Sequence, residues 1–138
     1  MTDDLRLSIT EANKRVVVDH FESAINRKDP DAITRTVAMD RYVDHDPPEG
    51  SDGTVEDGMK RMAAMFARFP DFHVDLLDVM AEGDLVIVRG TWSGTDSQTS
   101  TKISFRAFVQ YRLDDGKIVE RWATSTIPAP VQPDLAGW

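Results

Sequence analysis

The sequence predicts an α+β domain with helices first and a sheet second, and three observations predict it. Apolar residues recur at helical spacing as far as Pro70, they alternate with polar ones beyond it, and the acidic glycine turns Glu82-Gly83-Asp84 and Asp114-Asp115-Gly116 divide that second half. A chain of 138 residues is near the commonest domain size, so one domain is expected over 1–138, with its core at about 10–127. The tail from Pro128 to Trp138, with three prolines, reads as an irregular arm.

From Thr10 to Arg27, Val16, Val17, Phe21, Ala24 and Ile25 form one apolar stripe, and Thr10 with Asn13 offers a cap. Asp29-Pro30 breaks that helix, and Asp31 to Ala38 reads as a second, short one. Tyr42 to Asp46 is extended, and the Pro47–Gly53 stretch has the composition of an exposed rim or lid. Thr54, three residues before Asp57, starts a third helix whose Met59, Met62, Ala63, Phe66 and Phe69 share a face before Pro70 ends it. Methionines at this spacing are more often core than ligand box.

Phe72–Ala81, Leu85–Trp92, Ile103–Leu113 and Ile118–Thr126 are rich in β-branched and aromatic residues and predict a four-stranded antiparallel meander. In the third of these, Ile103, Phe105, Ala107, Val109, Tyr111 and Leu113 share one face, which should be the core and pocket side. Phe108 interrupts the opposite, polar face. It reads either as a sheet-to-sheet dimer contact with Trp92 or Val88, or as a lone exposed aromatic.

The formal charge of -8 disfavours phosphate backbones and anionic lipid surfaces as partners. No apolar run approaches the roughly 18 residues of a membrane span, and Met1-Thr2-Asp3-Asp4 does not begin like a signal peptide, so a cytoplasmic protein is expected. The absence of cysteine excludes disulfides and a thiol nucleophile. His20, His45 and His73 have no ligand-like spacing, and there is no glycine-rich phosphate loop or serine elbow, so neither a metal nor a cofactor is expected.

Four pieces in order, Tyr42-Val43-Asp44-His45-Asp46-Pro47, Phe69-Pro70-Asp71, Ala81-Glu82-Gly83-Asp84-Leu85-Val86 and Arg112 to Trp122, resemble the SnoaL-like polyketide cyclases over roughly residues 12–127. The resemblance implies the cone-shaped nuclear transport factor 2-like form, a curved sheet wrapped around N-terminal helices and holding one apolar pocket. It also implies a homodimer through the open sheet face, and cofactor-independent aldol ring closure by a carboxylate on the last strand. The family pattern reads Glu, any residue, Trp, then Asp four residues on. Glu120 and Trp122 match it, but Thr126 stands at the Asp position, and a hydroxyl is far too weak a base to remove a proton unaided.

The candidate catalytic residues are therefore His45, Asp71 and Glu120. His45 carries an imidazole that can serve as acid or base in an apolar pocket, or else it merely fixes a strand-to-loop corner. By strand alternation Tyr42 and Asp44 face one way and Val43 and His45 the other, so only one pair can face the cavity. Asp71 can serve as a desolvated base at the pocket mouth or as an acceptor for backbone donors. On the last strand Glu120, Trp122, Thr124 and Thr126 share a face, so if Trp122 lines the pocket all four look inward; alternatively Glu120 pairs with Arg112, Arg106 or Arg89. Tyr42, Phe66, Phe105, Tyr111, Trp122 and Thr126 complete the expected substrate-binding set. The function expected is acid/base chemistry on a small apolar carbonyl compound, by a cyclase or cyclase-like isomerase. The alternatives are a non-catalytic binding module and a dehydratase or epoxide hydrolase of the same superfamily.

Overall fold

The computed structural model describes residues 3–127, so the predicted arm at 128–138 lies outside the described residues. Helix α1 spans Asp3–Asp19 and runs directly into a π-helical segment, His20–Asn26. After α2 (Asp31–Thr36) come the short strand β1 (Val43–Asp44) and α3 (Val55–Arg68), followed by β2 (His73–Glu82), β3 (Leu85–Thr95), β4 (Lys102–Asp114) and β5 (Lys117–Ser125). The first helix thus begins before Thr10, which lies inside it. Thr54 does cap α3, its side chain accepting from the Asp57 amide at 3.3 Å.

The five strands form a curved, unclosed sheet in the order β1-β5-β4-β3-β2. Strands β2 to β5 make the antiparallel meander that the two acidic glycine turns predicted. The extended segment at Tyr42–Asp46 supplies the fifth strand, with Val43 opposite Glu120 and Asp44 opposite Arg121 in a parallel pairing. One sheet face carries the helices. Phe105, Ala107, Val109, Tyr111 and Leu113 of β4 are buried on it, as their alternation predicted. Phe21 meets Trp92 and Tyr111 edge-on, at ring separations of 5.8 and 6.0 Å, and the methionines Met62 and Met65 of α3 are core.

A bulge decides which side each face of β5 meets. Leu113 pairs with Ile118 but Arg112 with Glu120, which leaves Val119 as an extra residue and makes Ile118 and Val119 consecutive buried positions. An extra residue reverses the side-chain parity of everything after it. Arg121 and Ala123 therefore share the inner face with Tyr111 and Val109, while Glu120, Trp122 and Thr124 lie on the outer face with Arg112, Gln110 and Phe108. The neighbours anticipated for Phe108 are corrected in the same way. Trp92 and Val88 are buried on the inner face, whereas Phe108, 53% exposed, lies opposite Arg89 and Thr124 on the outer one.

Candidate active site

The parity of β1 and β5 decides which side chains meet inside. Tyr42 and Asp44 turn inward and His45 outward, and the bulge at Val119 turns Arg121 inward beside them. Arg121 Nη1 donates to both carboxylate oxygens of Asp44 at 3.2 Å, and the two side chains are only 9% and 6% exposed. The Asp46 amide adds a 3.0 Å donor to Asp44. Burial is the largest influence on Asp44 and raises its pKa, with the Arg121 charge opposing. Burial also pushes the Tyr42 and Tyr111 phenols well up, so both are hydroxyl donors at neutral pH. Among the described residues neither Arg121 Nε nor the Tyr111 hydroxyl has a hydrogen-bond partner, so two buried donors lie beside a buried carboxylate.

A cavity of about 10 Å³ reaches this cluster, lined by Tyr42, Asp44, Pro48, Ser51, Gly53, Thr54 and Gly58. It is the size of one water, so a larger guest must displace the 47–53 loop that covers it. That loop is anchored where the carbonyl of Gly53 (φ +77°) accepts from the Asp44 amide at 3.0 Å. A Cβ at Gly53 would sit 2.5 Å from the Asp44 carbonyl oxygen. Gly53→Ala is therefore expected to cost about 2–4 kcal/mol from clash and positive φ combined, read as a lowered denaturation midpoint with an unchanged slope. An unchanged midpoint would mean that the loop does not pack this closely.

The residues singled out in the sequence fall into three places. Tyr42, Phe105 and Tyr111 are buried inside, and Phe66 packs against that core while half-buried. Outside, His45 Nε2 donates to Glu120 Oε2 at 2.7 Å, Arg112 Nε donates to Glu120 Oε1 at 2.5 Å, and the His45 ring stacks on Trp122 at 4.8 Å. Arg112 first and His45 second hold the Glu120 carboxyl below its ordinary pKa. Next to Trp122 runs an open groove of about 260 Å³ bordered by Asp46, Ile87, Phe108, Gln110 and Thr124. Away from both places, Asp71 accepts from the Thr95 amide at 2.7 Å and the Thr95 hydroxyl at 2.8 Å. Those two bonds, the hydroxyl first, lower its pKa. Thr126 lies at the sheet margin, its hydroxyl accepting from the Arg106 amide at 3.0 Å.

Sequence reasoning missed Arg121 and left the inward pair undecided between Tyr42 with Asp44 and Val43 with His45. The signal for Arg121 was present in Ile118-Val119, two apolar neighbours where a strict alternation allows one. Among the described residues no three His, Asp or Glu side chains converge on a metal position, and no helix is long and apolar enough to cross a membrane.

Comparison with known proteins agrees with this architecture. Residues 15–125 match the family model described as SnoaL-like polyketide cyclase. Among solved structures, AclR of Streptomyces galilaeus, proposed to be a hydroxylase, is 25% identical with a TM-score of 0.75, over 88% of this chain and 83% of its own. IdmH of Streptomyces antibioticus, proposed to be a polyketide cyclase, is 27% identical with a TM-score of 0.73, over 83% and 91%. An NTF2-like protein of Burkholderia thailandensis is 25% identical with a TM-score of 0.66, over 82% and 89%. No curated protein matches the sequence.

Proposed function

The chain belongs to the SnoaL-like polyketide cyclase family, and from that premise we propose that it performs cofactor-independent acid/base chemistry on a small, apolar, carbonyl-bearing molecule held between the helices and the inner sheet face. One observation carries the reading: a buried carboxylate, Asp44, lies beside two buried donors that have no acceptor among the described residues, Arg121 Nε and the Tyr111 hydroxyl. Buried charge is costly to retain, and such clusters concentrate at functional sites. Asp44 takes a proton from carbon next to the carbonyl, and the donors stabilise the enolate oxygen that results. In a ring closure the enolate carbon then bonds to a second carbonyl carbon, and the alkoxide formed recovers the proton. Asp44 thereby supplies the carboxylate that Thr126 does not. The walls are the apolar faces of Phe105, Trp92 and Val109. Asp44→Asn should lower turnover sharply, and a variant that turns over at the wild-type rate would remove Asp44 from the mechanism.

The His45–Glu120 contact supports a second reading, in which chemistry occurs at the outer groove. Glu120, held anionic by Arg112, orients the imidazole so that Nδ1 is its basic nitrogen. Full loss of turnover in His45→Ala with Asp44→Asn unaffected would select this reading over the first.

We also infer a homodimer across the outer sheet face. Met80 and Phe108 are 57% and 53% exposed there beside Ile87 and Trp122, and the charges among them are already paired as Arg89 with Asp78 and Arg112 with Glu120. Phe108→Lys should shift sedimentation from dimer to monomer at micromolar concentration. A wild-type protein that sediments as a monomer would end this inference.

A further inference from the structure

Strand β1 ends at Asp44, yet the chain stays pinned to β5 beyond that point. The His45 amide donates to the Arg121 carbonyl at 2.9 Å, and Asp46 Oδ2 accepts from the Ala123 amide at 2.8 Å. In a regular parallel ladder the Ala123 amide would reach a main-chain carbonyl of the neighbouring strand. A side-chain carboxylate takes that rung instead, where the chain turns away into Pro47-Pro48. A proline at position 47 also narrows in advance the backbone conformations open to Asp46.

The same residue reaches the interior through its main chain. Its amide donates to Asp44 Oδ1 at 3.0 Å, the contact of an Asx turn. Arg121 Nη1 donates to Oδ1 and Oδ2 alike. Among the described residues Oδ1 therefore has two donors and Oδ2 has one, and the oxygen with fewer donors is the more basic. Asp46 is itself exposed and borders the outer groove, so it acts on the interior through Asp44.

We propose that Asp46 is the positioning residue of the interior base: anchored to β5 through the Ala123 amide, it keeps its own amide on Asp44 Oδ1 and leaves Oδ2 as the oxygen that takes the proton. The proposal rests on Asp44 being that base, and it adds how the base is aimed. The charged and titratable groups that act on or with Asp44 are Arg121 of β5, Tyr111 of β4, and Tyr42 and Asp46 of its own segment. Asp46 influences it in two opposed ways. The amide favours the ionised carboxylate, and the nearby negative charge disfavours it more weakly.

Two variants of the full-length protein separate these effects, read by carboxyl carbon-13 NMR of Asp44 and hydrogen exchange of the Ala123 amide. Asp46→Asn keeps an acceptor for Ala123 and drops the charge, so Asp44 should titrate at or below its wild-type midpoint with Ala123 still protected. Asp46→Ala removes the anchor. Ala123 should then exchange about tenfold faster, and Asp44, deprived of its amide donor, should titrate at higher pH than in Asp46→Asn. Equal Asp44 midpoints in the two variants overturn the proposal, as does a midpoint raised in Asp46→Asn or a wild-type Ala123 amide that exchanges as freely as an unbonded one. The last two outcomes need no Asp46→Ala, so they decide even if that variant does not fold. No substrate enters these measurements, and failure of Asp44 as the base appears elsewhere, as turnover surviving Asp44→Asn.

Discussion

Arg121→Met is expected to lower stability by about 3–5 kcal/mol, the cost of leaving a buried carboxylate without its cation, and the melting temperature by roughly 10–20 °C. Methionine refills much of the volume, so the loss is electrostatic rather than a cavity effect. With the guanidinium gone, burial of Asp44 is opposed mainly by the Asp46 amide, and its pKa rises further above the unfolded value. A carboxyl raised in this sense favours the native state fully below its unfolded pKa, and that contribution is lost as pH rises through its folded pKa. The deficit against wild type should therefore be small in acid and grow towards neutrality. Asp44→Leu combined with Arg121→Met removes both charges and should recover most of the stability. A deficit independent of pH, or a double variant no better than the single one, would show that the pair is not buried as described.

Asp44→Asn separates function from stability. The amide keeps the shape and can still accept from Arg121, but it cannot take a proton, so turnover should fall by roughly 10²–10⁴, as for loss of a general base. Because the wild-type carboxyl is raised by burial, the acid limb of its activity should lie above the ordinary carboxylate range, with turnover falling as pH drops through it. Asp44→Glu should keep some activity with a displaced limb. An acid limb unchanged in Asp44→Glu would assign the titration to another group.

The fold was largely legible because β3 and β4 keep strict alternation and the acidic glycine turns mark their ends. The helical period of α3, with Thr54 before it and Pro70 after it, was equally plain. The site was legible only in part. Phe105 and Tyr111 could be placed from local pattern, whereas the choice between Tyr42 with Asp44 and Val43 with His45 depends on how β1 lies against β5. That pairing brings together residues 77 apart in the chain. On β5 local alternation grouped Glu120, Trp122 and Thr124 on one face but could not tell which side that face meets, since a bulge is a property of two strands and one strand's period does not contain it. The π-helical turn at His20 was hidden for a related reason. It still reads as helix, and only its wider backbone hydrogen bonding, as from the Arg27 amide to the Glu22 carbonyl, distinguishes it from an α-turn.

The parallel pairing of β1 with β5 also fixes when this site can exist. Its two halves lie 77 residues apart in the chain, joined by a strand of only two residues. So short a strand has no stability of its own and waits for its partner. Contacts this distant in sequence form late, after the loop between them has closed. During synthesis Asp44 leaves the ribosome many residues ahead of Arg121 and remains hydrated until the last strand follows. The chain thus completes its sheet and its charged centre in one event, and an intermediate lacking β5 would have a core without a site.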